Sequence, residues 1–174
     1  METVWYFVIY SFLGFLLEVA FARLVRAEKR GRKCFVLLPL CPVYGFGALA
    51  ILLLPQWVRR SGPLLVVLGG LAATGVEYWM AVFYERAAGV RFWDYSHMPF
   101  QIGGRVCPLF ALFWGLLAAL LVRRVHPAVM VLAAHIPAGL LPSVLLLLAA
   151  DGAYTIALLR TTGDTDSLRW YRKG

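Results

Sequence analysis

Long uninterrupted apolar stretches, separated by short joins rich in arginine, constrain this chain more than any other feature. Crossing the roughly 30 Å hydrocarbon core of a bilayer takes about 20 apolar residues in a helix, and five stretches answer to that requirement: 4–22, 35–54, 63–84, 106–122 and 128–159. The fifth is longer than one span and too short for two spans and a turn. Pro137 and Pro142 would each interrupt a helical hydrogen bond there, so it reads as one kinked or broken span. A water-soluble fold is excluded: 61% of the residues are hydrophobic and 15% charged, and a chain of 174 residues has too little interior to hide that much apolar surface. Backbone polar groups cannot stay open to lipid, and no series of alternating strands competes with the helices. The expected fold is all-α, a polytopic membrane helix bundle of about five transmembrane helices over 1–159, followed by a cytoplasmic tail, 160–174.

A formal net charge of +8 would point to nucleic acid in a soluble chain, but here the membrane topology accounts for it and no nucleic-acid partner is expected. The first join holds Arg23, Arg26, Lys29, Arg30, Arg32 and Lys33 against the single acid Glu28. The second holds Arg59 and Arg60, the third Arg86, Arg91 and Arg105, the fourth Arg123 and Arg124, and the tail Arg160, Arg169, Arg172 and Lys173. Alternate joins therefore place thirteen of the 17 cations on one side. The positive-inside rule assigns that side to the cytoplasm, giving a multi-pass protein of the cytoplasmic membrane with its N-terminus outside and its C-terminus inside. The bilayer is the first partner, and the basic face would attract anionic headgroups. Met1-Glu2-Thr3 lacks the basic segment of a cleavable signal, so the first apolar stretch is expected to remain.

The chain carries no phosphate-binding loop, no dinucleotide fingerprint, no His-Glu-x-x-His and no Gly-x-Ser-x-Gly. It cannot itself be an ATPase, no motif points to an enzyme, and no cofactor is implied. Cys34, Cys41 and Cys107 fit neither a Cys-x-x-Cys pair nor a zinc spacing, so free thiols and no metal are expected.

The chain also aligns weakly with itself. Glu18 lies late in the first span and Glu77 in the corresponding half of the third. Each is followed by a charged join and then by Cys-Pro, Cys41-Pro42-Val43-Tyr44 in one case and Cys107-Pro108-Leu109-Phe110 in the other. An aromatic-Gly pair comes after each, Phe46-Gly47 and Trp114-Gly115. Spans one and three run in the same direction, so this is a parallel repeat of spans 1–2 and 3–4, related by an axis along the membrane normal. Simple duplication explains it as well as a shared central site does.

A carboxylate inside a span must face protein or water, pair with a cation, or hold a proton, which makes Glu18 and Glu77 the first candidates for solute or ion binding. The bland alternative is a polar clamp between helices. The second candidate is the segment from Arg91 to Arg105, with Trp93, Asp94, Tyr95 and His97. Pro99 and Gly103-Gly104 exclude a continuous helix there, so it reads as an interfacial or re-entrant loop. Asp94, Tyr95 and His97 would serve as polar partners of a ligand, and Arg91 or Arg105 as an anion holder; an aromatic belt at the headgroups is the competing reading. Glu85-Arg86 reads as an exposed edge pair, and His135 and Asp151 stand isolated in the last span. Gly14, Gly45, Gly47 and Gly115 read as close helix contacts, and Pro42 and Pro108 as first-turn residues of their helices.

The ordered set Tyr10 to Glu18, Pro42-Val43-Tyr44-Gly45-Phe46-Gly47-Ala48, Glu77-Tyr78, Trp93-Asp94-Tyr95-Ser96 and Gly104-Arg105-Val106-Cys107 resembles the bacterial membrane family labelled putative ABC-transporter type IV. The resemblance runs from about Tyr10 to Pro127 and implies a permease-like membrane component of a small-solute transport system. A separate ATPase subunit, and self-association to complete a pathway, are then implied partners. Two other readings remain open: an intramembrane enzyme acting on a lipid or lipid-linked substrate, with Asp94 or His97 as general base and Arg105 on a headgroup, and a non-catalytic scaffold or regulator.

Overall fold

The computed structural model describes residues 2–25 and 34–168. Of the charges counted above, Arg26, Glu28, Lys29, Arg30, Arg32, Lys33, Arg169, Arg172 and Lys173 lie outside the described residues. Among the described residues seven α-helices succeed one another: α1 (Glu2–Leu24), α2 (Pro42–Leu52), α3 (Gln56–Arg60), α4 (Gly62–Ala87), α5 (Pro108–Leu120), α6 (His126–Ala134) and α7 (Leu141–Thr162). Among the described residues there is no sheet, and Ile102 and Val106 make an isolated antiparallel bridge. Among the described residues four helical stretches are long and apolar enough to cross a membrane: Glu2–Leu24, Gly62–Ala87, Pro108–Ala134 and Ala138–Thr162.

The second expected span is not a continuous helix. Residues 34–41 are irregular, and only Pro42–Leu52 coils, 11 residues or about 16 Å at 1.5 Å per residue. The cause is local. Pro39 and Pro42 lack N–H donors, and each pushes the residue before it out of the helical region; Cys41 is accordingly extended, with φ −116° and ψ 95°. Non-helical backbone at membrane depth survives only where protein satisfies it, and here that supply is nearly complete. The Val36 N–H donates to Thr155 Oγ1 at 3.1 Å, Leu37 and Leu38 donate to the Asp151 carboxylate at 3.1 and 2.8 Å, Leu40 donates to the Leu38 carbonyl and Cys41 to the Ser11 carbonyl. Asp151 and Thr155 are buried on α7. The isolated acid of the last span is thus the anchor of this broken crossing.

The expected fourth and fifth spans are divided differently as well. Helix α5 does not stop before Arg123; it continues through a wide π turn, Leu121–Val125, into α6. The turn lies just before Pro127, whose ring would meet the Arg123 carbonyl in a regular helix. The break falls instead at His135 to Pro137, and a short 3-10 turn, Ala138–Leu140, starts the last helix. That helix runs to Thr162 and ends on Gly163 in the left-handed conformation. The segment expected to be tail turns back, and Leu168 is fully buried with Val36, Ala88, Val90 and Leu159.

Packing is set by small residues. A Cβ on Gly14 would enter the Tyr44 ring, and one on Gly45 would strike Ser11 Oγ, so α1 and α2 cross with their backbones close together. In the second pair, a Cβ on Gly70 would lie 2.8 Å from the Ala111 carbonyl, and Gly115 presses on the Val66 carbonyl. Gly47 has only ordinary contacts, with Trp114 and Ala73, and is not a close crossing point. The contacts correspond between the halves: Ser11 lies seven positions before Glu18 as Gly70 does before Glu77, and Gly45 lies four after Cys41 as Ala111 does after Cys107. Val43, Ile51, Leu65, Ala73, Trp114 and Ala118 join the two pairs in one core. At one end, Tyr10 Oη and His126 Nδ1 lie 3.0 Å apart, tying α1 to α6; the opposite end carries Glu85 and the loop 88–107.

Candidate functional site

Helices α1 and α4 each carry an acid, and the core between the halves brings both acids to one cavity of about 740 Å³. The Tyr44 hydroxyl donates to Glu18 Oε1 at 2.8 Å. Glu77, only 4% exposed, accepts from the Tyr95 hydroxyl at 2.9 Å on one oxygen and from Trp114 Nε1 at 3.0 Å on the other. The Tyr44 and Trp114 rings touch, centroids 4.9 Å apart, and Tyr95 stacks on Phe110 at 4.6 Å. Tyr44 and Phe110 occupy the same place in the repeat, three positions after their Cys-Pro cysteines. The repeat therefore closes around an aromatic wall with one glutamate on either side.

The loop after α4 supplies the third side and the mouth. Trp93 donates through Nε1 to the Arg105 carbonyl at 2.9 Å, Tyr95 N–H donates to the Gly104 carbonyl and Ile102 N–H to the Val106 carbonyl, so the segment folds back on itself and aims Tyr95 at Glu77. Gly103 and Gly104 turn it with φ of 60° and 71°, and at Gly104 a Cβ would also meet Asp94 Oδ1 at 2.6 Å. Asp94 and His97 line the cavity on the exposed side of the loop. Asp94 accepts from the Ser96 hydroxyl and the Ser96 N–H, and these bonds hold its carboxyl below the usual carboxylate range. Its immediate work is to shape the turn.

Arg91 and Arg105 do not line the cavity. Both turn to Glu85, Arg91 Nε at 3.0 Å from one oxygen and Arg105 Nη2 at 2.6 Å from the other, and the Arg105 guanidinium also lies over the Tyr78 ring. Glu85 thus pairs with the loop, and its sequence neighbour Arg86 is not in these pairs. The Glu85 hydrogen bonds raise the Arg105 pKa above its ordinary value. The two arginines fasten the loop and do not contribute to the cavity wall.

All three cysteines are free thiols; Cys34 and Cys41 line the cavity with their sulfurs 3.3 Å apart. Pro42 and Pro108 open α2 and α5, as first-turn prolines do. His135 bonds the Val131 carbonyl at the helix break. Sequence reasoning did not single out Tyr44 and Trp114 as site residues, although both stand in the repeated motifs, where an aromatic recurs beside Cys-Pro and before Gly. The Tyr10 to His126 tie left no sequence signal.

These features define a class: a multi-pass helical membrane protein built from two similar helix pairs around a chamber large enough for a small molecule. A family model described as "Putative ABC-transporter type IV" matches residues 5–156, and the chain belongs to that family. No curated protein matches the chain, and no solved structure does.

Proposed function

We propose that this protein is the permease-like membrane component of a small-solute transport system and that the chamber between its two helix pairs is the solute site. One observation carries the reading: Glu18 and Glu77, from equivalent places in the repeat, line the same chamber. Membership of the family supports it. Duplicated helix pairs meeting at a buried polar site is the arrangement by which many transporters bind and release solute. The mouth at Asp94 and His97 lies at the Glu85 end, which the positive-inside rule makes cytoplasmic, with the N-terminus outside and the C-terminus inside.

The chain holds no phosphate-binding loop, so ATP coupling requires a separate ATPase subunit, and a second copy of the chain would supply the remaining helices of a full pathway. The geometry supports the intramembrane-enzyme reading less: Asp94 is engaged with Ser96 and Arg105 with Glu85, which leaves His97 on the lining as its general base. The test is purification of the tagged protein from its native membrane in mild detergent, followed by mass spectrometry of what stays bound. Recovery of an ATPase at near-equal amount, with ATP-dependent solute uptake by the reconstituted pair, is the expected result. Recovery of the protein with no ATPase, and no solute movement after reconstitution, would overturn the proposal.

A further inference from the structure

We infer that the chamber takes a monovalent amphipathic organic cation, an amine or quaternary ammonium on an aromatic or alkyl body. The inference names the solute class of the site proposed above and rests on that reading. Its first support is charge: Glu77 is buried on the chamber wall, and the described lining residues include no Lys or Arg, with His97 on the exposed side of the loop. Both oxygens of Glu77 receive neutral donors, a phenol and an indole, which orient the carboxylate without cancelling its charge. Burying such a charge is costly unless a cation or a proton joins it, and a solute cation supplies what the described residues do not.

The second support is the wall. Tyr44, Trp93, Tyr95 and Trp114 line the chamber, and aromatic faces attract organic cations, most strongly when water is excluded. A calcium or magnesium ion would need about six oxygen ligands, whereas this wall is mostly apolar and Glu77 already accepts two bonds. The volume, about 740 Å³, lies within the range of sites for drug-sized molecules. An anion would meet the buried Glu77 carboxylate. Leu17 and Phe21 of α1 and Leu116 and Leu120 of α5 form the remaining side, 39 to 53% exposed, so the apolar body of the ligand would lie between these two helices.

The experiment compares two ions of one shape and opposite charge, tetraphenylphosphonium and tetraphenylborate, by equilibrium dialysis and tryptophan quenching on the purified full chain in detergent. Saturable binding of tetraphenylphosphonium, weakened about ten-fold or more by Glu77→Gln, and no saturable binding of tetraphenylborate, is the expected result. Equal binding of the two ions, or unchanged phosphonium affinity in a folded Glu77→Gln protein, would overturn the inference. If Glu77→Gln does not fold, the wild-type comparison of the two ions decides alone. Uptake of a neutral or anionic solute by the reconstituted system, without phosphonium binding, would overturn the cation assignment and leave the permease reading standing. Phosphonium bound with charge selectivity, with no solute movement under any coupling, would overturn the permease reading and leave the cation site.

Discussion

Residues 34–41, the described part of the approach to α2, and the loop 88–107, which leads to α5, meet the same difficulty with different groups. Each is irregular backbone entering the helical bundle, and each leads to Cys-Pro at the start of the next helix. In the first, the Val36, Leu37 and Leu38 N–H groups are satisfied from outside the repeat, by Thr155 and Asp151 of α7. The second satisfies itself through Asp94, Gly104 and the bridge at Ile102, with Glu85 gripping its two arginines. The halves therefore divide the labour: the first borrows α7 to hold 34–41, and the second folds on itself and places Tyr95 against Glu77.

Breaking the borrowed anchor should produce the largest effect. Asp151→Ala leaves the Leu37 and Leu38 N–H groups without their acceptor in a setting where water is scarce, a loss of about 3 kcal/mol or more. Thermal unfolding in detergent should show a clear drop, with Asp151→Asn intermediate. An unchanged midpoint for the alanine variant would mean that 34–41 is held by something else.

The close crossings come next. Gly115→Val drives a branched side chain into the Val66 carbonyl and should cost about 2 kcal/mol, while Gly47→Ala, with only ordinary contacts around it, should stay within about 0.5 kcal/mol. Equal losses at the two glycines would erase the distinction between a crossing point and a loosely packed position.

Smaller effects should come from the donors on Glu77. Trp114→Phe and Tyr95→Phe each remove one hydrogen bond to the carboxylate and keep an aromatic ring, costing about 1–2 kcal/mol apiece. Because both act on one group, the double variant should depart from additivity; strict additivity in a folded double mutant would separate the two contacts.

The smallest effects belong to the mouth. Glu85→Gln should destabilise the whole protein by less than about 1 kcal/mol, since its partners are partly exposed, yet raise hydrogen exchange across 91–105. The Asp94 contribution has a definite sign: a carboxylate whose folded pKa is lowered contributes above its unfolded pKa and stops contributing as pH falls through the folded value. Exchange protection in this loop should be flat between about pH 8 and 6 and decline only below about 4.

Much of the fold was legible, because apolar length is a direct consequence of bilayer thickness. The first and third spans lie almost where hydropathy places them, inside Glu2–Leu24 and Gly62–Ala87. Hydropathy fails at 35–54, since it weighs side chains and takes no account of missing N–H donors; Pro39 and Pro42 carried that information. It fails again at Arg123 and Arg124, which lie on the flank of a continuing helix and do not end it. The depths of Glu18 and Glu77 could be read from the sequence, but the direction each acid faces could not, because it depends on how Gly14, Gly45, Gly70 and Gly115 let the helices cross. The composition of the loop makes Arg91 and Arg105 candidate ligand groups; their engagement with Glu85 depends on the path of the loop back to α4.

The central claim is that the two halves converge on one chamber, and the Tyr44 to Trp114 contact is its most direct marker. The decisive measurement is cross-linking in native membranes of Tyr44→Cys with Trp114→Cys, in a background lacking the three native cysteines, by a short bifunctional thiol reagent. The account predicts rapid intramolecular cross-linking of this pair and none between Tyr44→Cys and Leu146→Cys, a position exposed on α7. Folded protein in which the first pair fails to cross-link would contradict it.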